Sequence, residues 1–94
     1  MNTKRKGIEA ERRAKKILEQ AGYLVIRSSA SLGPFDLVAI GTHGTLRLIQ
    51  VKKGTQATRA EREALAELAS KFKNASVEYW FFPEKSKEPV ITVF

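Results

Sequence analysis

The sequence predicts an α/β protein: one domain over residues 1–94, with a central mixed sheet of about five strands flanked by two helices in the order α-β-β-β-α-β-β. Three observations lead there. Apolar residues recur at helical spacing in two stretches, one near the start of the chain and one in its middle. Five short runs rich in β-branched and aromatic residues surround the second of these. With 94 residues, of which 43% are hydrophobic, there is enough apolar surface for one core and no room for a second.

The first helix spans Thr3 to Ala21. Ala10, Ala14, Ile17, Leu18 and Ala21 form its apolar stripe, centred near Ala14 and Ala21, and Gly22 follows as a C-terminal stop. Tyr23 to Arg27 is a strand, and Ser28 to Pro34 collects the Ser, Gly and Pro of a loop. Phe35 to Ile40 and Thr45 to Lys52 are strands joined by Gly41-Thr42-His43-Gly44, a hairpin connection in which His43 is a turn residue without a chemical role. Thr58-Arg59-Ala60-Glu61 is a capping box opening the second helix, whose stripe is Ala60, Ala64, Leu65, Leu68, Ala69 and Phe72, up to Asn74. Val77 to Phe82 and Val90 to Phe94 are the last strands, separated by the loose stretch from Pro83 to Pro89. The fourth strand has to return beside the earlier ones after the second helix, which makes the sheet mixed.

Composition narrows the function. Lys and Arg number 17 against 10 Asp and Glu, a formal charge of +7, so a polyanion is the expected partner. The charge sits in two blocks, +5 over residues 1–16 and +4 over residues 47–62, as two edges of one binding surface would have it. No apolar run approaches the roughly 20 residues that span a bilayer, and the first residues lack the apolar stretch of a signal peptide, so no membrane association and a cytoplasmic location are expected. Zero cysteines and a single histidine exclude thiolate chemistry and His-rich metal sites, leaving oxygen ligands for any metal.

The chemistry concentrates on the second and third strands. A tight hairpin closed at Gly41 and Thr45 opposes Val38 to Leu48 and Asp36 to Gln50, and strand alternation then groups Asp36, Gln50 and Lys52 on one face. A carboxylate, an amide and an ammonium at the end of an apolar face are costly to desolvate, and a divalent cation would offset that cost. On the first helix, Glu11 lies roughly 80° from the stripe centre and Glu9 roughly 120°, so Glu11 is the second carboxylate. Two carboxylates and an amide oxygen suit Mg²⁺, with Mn²⁺ as substitute, and phosphodiester hydrolysis fits such a site.

The run Lys6-Gly7-x-x-x-Glu11-Arg12, then Gly22-Tyr23-x-Val25-x-Arg27-Ser28-x-x-Ser31, Asp36-Leu37-Val38-Ala39 and Ile49-Gln50-Val51-Lys52 resembles archaeal-type Holliday junction resolvases of the PD-(D/E)XK nuclease superfamily, over residues 4–53. The resemblance implies a restriction-endonuclease-like fold and an enzyme that cuts four-way DNA junctions without a small-molecule cofactor. A homodimer is expected from the residues themselves, because two helices and one sheet cannot cover every aromatic among Trp80 and Phe82 on one strand face and Tyr79 and Phe81 on the other, and a symmetric pair suits a substrate with two equivalent strands. The resemblance also implies Glu11 and Asp36 as metal-holding acids, Gln50 as the third ligand, and Lys52 as the lysine that orients water and stabilises phosphate charge. Arg12 and Arg27 would lie near the scissile phosphate, and Ser29 and Ser31 in a DNA-touching loop. From the charge blocks, Lys4, Arg5, Lys6, Arg13, Lys16 and Lys53 add phosphate contacts. Two departures stand out. Most members carry Glu where this chain has Gln50, and Phe35 intervenes between Pro34 and Asp36. The Gln-x-Lys form is similar to that of Mrr-like restriction endonucleases. The alternatives are a non-catalytic nuclease-like DNA-binding protein, a restriction or repair nuclease acting on duplex DNA and, more distantly, an RNA-binding protein that would leave the Asp36, Gln50 and Lys52 grouping unexplained.

Overall fold

A computed structural model describes residues 3–28 and 34–94, with the side chains of the first helix described from Gly7 onward. The elements are α1 (Thr3–Gln20), β1 (Leu24–Arg27), β2 (Leu37–Ile40), β3 (Leu46–Lys53), α2 (Arg59–Lys71), β4 (Ser76–Phe82) and β5 (Val90–Val93), the expected order. They form one five-stranded sheet, β1-β2-β3-β4-β5, antiparallel except where β3 pairs with β4. That parallel pair requires a crossover, and α2 supplies it.

Small residues bring α1 close to the sheet. Ala10, Ala14 and Leu18 are buried against Val25, Leu37, Ala39, Ile49, Val51, Trp80 and Phe82. The helix ends in a Schellman turn: Tyr23 N–H donates to Leu18 O and Gly22 N–H to Glu19 O, both at 3.0 Å. Gly22 takes φ 97°, a conformation that glycine adopts without a Cβ clash. This turn lifts Ala21 off the stripe, and it is exposed. The stripe therefore centres on Ala14 alone, a correction to the expected pair.

The β2–β3 register is the expected one, with Val38 opposite Leu48 and Gly41 N–H donating to Thr45 O at 2.8 Å. The regular pairing ends at Leu37 opposite Ile49, and Asp36 N–H donates to the same Ile49 O at 2.9 Å, so Asp36 and Leu37 both face Ile49 in the manner of a bulge and Asp36 is not paired with Gln50 as expected.

The second helix departs from expectation. Its capping box is present in both directions, Thr58 Oγ1 accepting from Glu61 N–H at 3.1 Å and Glu61 Oε1 from Thr58 N–H at 3.0 Å. Of the expected stripe, however, Leu65 is buried, Leu68 and Ala69 are half-buried, and Ala60, Ala64 and Phe72 are exposed. The cause is placement, because α2 packs chiefly on β4, with Leu48 of β3 at the margin of the cluster it covers, and leaves the same side of β1 and β2 uncovered. On that open side the register lines up Leu24, Ile40 and Leu46 in one row and Ile26, Val38 and Leu48 in the next. Leu24 is 65% exposed and Ile26 51%. The aromatic residues of β4 are largely absorbed by the core, so the exposed apolar surface is mainly aliphatic and lies at both edges of the sheet, on β1 and on β5, where Val90, Ile91 and Val93 are exposed.

Candidate active site

The C-terminal half of β3 and the residues just before β2 meet where α1 passes over the sheet. Asp36 stands one residue before β2, and its Oδ2 accepts the Val51 N–H at 2.7 Å, so a side chain takes a hydrogen bond that a strand neighbour would otherwise make. Gln50 projects beside it and donates through Nε2 to Pro34 O at 3.2 Å. That bond fixes the amide, and its Oε1 is buried with no hydrogen-bond partner among the described residues. A buried acceptor of this kind costs about 1–3 kcal/mol unless something binds it.

Glu11 reaches the same end from α1. Its side chain is only 17% exposed, whereas Glu9 is exposed, as the helical phase predicted. Arg27 Nε donates to Glu11 Oε1 at 3.0 Å. Burial raises the Asp36 carboxyl above its usual range; the Val51 N–H opposes this, the Glu11 charge adds to it, and Lys52 and Arg27 oppose it. Asp36 is thus electrically coupled to Glu11, Lys52 and Arg27, and the four expected catalytic side chains converge on one end of the sheet. Lys52 Nζ lies 3.0 Å from Glu61 Oε2.

Glu61 is the residue that sequence reasoning missed. It was legible as a cap, but its second oxygen holds Lys52, a contact set by how the start of α2 sits over β3. Two basic residues also have partners that the sequence did not announce. Arg27 is committed through Nε to Glu11, and Lys53 Nζ donates to Pro83 O at 3.0 Å and to Ser86 O at 3.5 Å. Arg12, Arg13 and Lys16 are exposed together on α1 beside Glu9 and line a shallow groove. Ser29 and Ser31 lie outside the described residues, as do the side chains of Lys4, Arg5 and Lys6.

The donor set fits a hard divalent cation. The unpartnered Gln50 oxygen and the mutually repelling Asp36 and Glu11 carboxylates are what such an ion would relieve. Among the described residues, no group of three or more His, Cys, Asp or Glu side chains could hold a metal, so any such ion would also need the amide oxygen of Gln50.

Comparison with known proteins agrees with this geometry. Residues 2–89 match the family model of the archaeal Holliday junction resolvases (Hjc). Among solved structures, the chain is similar to Hjc of Archaeoglobus fulgidus, a Holliday junction resolvase from an archaeal hyperthermophile. Identity is 26%, the alignment covers 95% of this chain and 71% of that one, and the TM-score is 0.66. No curated protein matches the chain. Matched by the family model over nearly its whole length and sharing the resolvase fold, the chain belongs to the archaeal Holliday junction resolvase family of metal-dependent endonucleases.

Proposed function

We propose that this protein is a homodimeric, Mg²⁺-dependent endonuclease that cuts four-way DNA junctions, with Mn²⁺ able to replace Mg²⁺. Its site consists of Glu11, Asp36, Gln50 and Lys52. The whole chain, residues 1–94, acts as a single nuclease domain in the cytoplasm; among the described residues no helix is long and apolar enough to cross a membrane. The observation that carries the reading is the buried, unpartnered Gln50 Oε1 beside two crowded carboxylates.

Glu11, Asp36 and Gln50 would hold the cation, which when bound supplies Lewis acidity toward water and phosphate oxygens. Lys52 places an ammonium at the same end, where it orients the attacking water and stabilises the charge that builds on the phosphate. Glu61 keeps that ammonium in place. Arg12 is free to meet the phosphate flanking the cut, and Arg27 retains guanidinium N–H groups beyond its bond to Glu11 for the same purpose. Arg13 and Lys16, with Lys4, Arg5, Lys6 and Lys53, add contacts to the sugar-phosphate backbone, to which Ser29 and Ser31 contribute hydroxyls. Gln50 lowers the negative charge of the site relative to a glutamate, which weakens cation affinity without removing the oxygen donor.

The homodimer is supported by the open aliphatic face of β1 and β2, which Leu46 and Leu48 of β3 border. Six large apolar side chains in two rows, two of them more than half exposed, form a contiguous patch of the kind that a second subunit covers. Two copies would bring two sites to the opposing strands of a junction.

The test is to incubate the protein with a labelled four-way junction and with a matched linear duplex, each with Mg²⁺, with Mn²⁺ and with EDTA, following binding and cleavage together. Metal-dependent paired cuts in the junction alone are expected. Equal cutting of the duplex would point to a restriction or repair nuclease, and binding without cutting under either metal would point to a non-catalytic DNA-binding protein.

A further inference from the structure

The connection between β4 and β5 builds a cationic feature that the catalytic end does not use. Pro83 to Ser86 form a turn closed by Ser86 N–H donating to Pro83 O at 3.1 Å. Within it Lys85 takes φ 64°, and it is the one non-glycine residue with positive φ among the described residues. A side chain in this conformation costs energy that glycine or asparagine avoids, and such positions concentrate at functional sites. The turn is held in place, since Lys53 Nζ ties Pro83 O and Ser86 O to the end of β3 and Ser86 Oγ accepts from Glu88 N–H at 3.2 Å.

Lys85 lines a half-open cavity of about 180 Å³ with Arg13, Lys53 and Lys87, over a wall that includes Phe82, and among the described residues Glu9 is the only acid lining it. Among the described residues no ion pair neutralises Arg13, Lys85 or Lys87. Four cations facing one concavity with an apolar wall repel one another, and an anion seated there would turn that repulsion into attraction. Lys53 follows Lys52 on β3, so the cavity lies at the catalytic end of the sheet but on the α1 side, away from Gln50 and Lys52.

We propose that this cavity seats a backbone phosphodiester of a junction arm, separate from the scissile phosphate, with Lys85 as its principal ligand. The strained backbone at Lys85 is retained because it aims this charge. The proposal rests on the junction reading given above and names where an arm is gripped.

The test compares the full chain with its Lys85→Gly, Lys87→Gln and Lys73→Gln variants in two measurements: thermal unfolding, and junction binding in EDTA across a salt series. Lys73 is exposed at the end of α2 and serves as the charge control. Lys85→Gly is expected to melt at the wild-type temperature or up to about 5 °C above it. Its junction affinity should nevertheless fall roughly 3–10-fold, with the salt slope reduced by about 0.9. Lys87→Gln should weaken binding in the same direction, and Lys73→Gln should leave affinity and slope unchanged. Unchanged affinity and slope in Lys85→Gly would overturn the proposal. So would a loss equalled by Lys73→Gln, or a loss accompanied by a lower melting temperature. A wild-type protein that cuts junctions while Lys85→Gly binds them normally would remove the cavity and leave the resolvase reading standing; a wild-type protein that binds no junction would remove both.

Discussion

At the N-terminal end of β3, Arg47 meets Glu78 through two hydrogen bonds of 2.7 Å, and Trp80 Nε1 donates to the same carboxylate at 3.0 Å. The Arg47 guanidinium also stacks over Tyr23, 5.0 Å from the ring centre, and over Trp80 at 5.6 Å. At the C-terminal end of the same strand, Gln50 buries an oxygen with no partner among the described residues, and Asp36 feels the charge of Glu11. Both ends bury charge, and their carboxyls shift in opposite directions. Burial alone would raise Glu78, but the hydrogen bonds from Arg47, Trp80 and Ser76 outweigh it and hold the carboxyl below its usual range. At Asp36 burial prevails and the carboxyl is raised. A satisfied buried pair is architecture, whereas a buried oxygen without a partner among the described residues, beside a raised carboxyl, is the kind of feature that a ligand would satisfy.

The strongest way to break this comparison is at the architectural end. Glu78 is 2% exposed, and Glu78→Ala leaves the half-buried Arg47 without its partner, so chemical denaturation should show a loss of about 3 kcal/mol. The sign with pH follows from the lowered carboxyl: its stabilisation is complete above the ordinary value of 4.5 and is lost as pH falls through the folded value. Wild-type denaturation curves below that pH should therefore weaken more steeply than those of Glu78→Gln.

At the catalytic end, Lys52→Ala should reduce junction cleavage about 10²–10³-fold while affinity changes by no more than roughly threefold, since one phosphate contact among many is a small electrostatic loss. Parallel loss of both would remove the catalytic role. Asp36→Asn separates the two ends most sharply. Because the raised carboxyl destabilises the fold as pH climbs from 3.8 through the folded value, the amide should stabilise the metal-free protein at neutral pH while abolishing cleavage. Loss of stability together with activity would mean that Asp36 is architecture as well. The smallest effect is expected at Glu61. Glu61→Gln can still cap α2 but gives Lys52 no charge, so cleavage should fall about 3–10-fold with an altered pH-rate profile and a stability change under roughly 0.5 kcal/mol. An unchanged profile would leave Glu61 as a cap alone.

Much of the catalytic end was legible because its rules are local. Gly41 and Thr45 fix the hairpin and the hairpin fixes the register as far as Leu37 opposite Ile49, which brings Asp36 to the C-terminal half of β3, although it bonds Ile49 and Val51 and does not pair with Gln50. Helical phase separated Glu11 from Glu9 in the same way. What stayed hidden depends on tertiary placement. Glu78 looks like an outward polar residue within an apolar strand, and nothing nearby in sequence reveals that Arg47, on the neighbouring strand, meets it inside the core. Helix propensity and spacing gave α2 a full apolar stripe, but the helix settles on β4, so Ala60, Ala64 and Phe72 face outward and that side of β1 and β2 stays open. The Glu61 contact with Lys52 has the same origin, being set by where the crossover lands.

The claim that the unsatisfied end of β3 is a cation site is tested most directly by titrating Mn²⁺ into the full-length protein by calorimetry, beside Asp36→Asn and Gln50→Glu. One site per chain is expected in the wild type, tighter in Gln50→Glu because a carboxylate replaces an amide oxygen, and absent in Asp36→Asn. Identical titrations for all three proteins would contradict it.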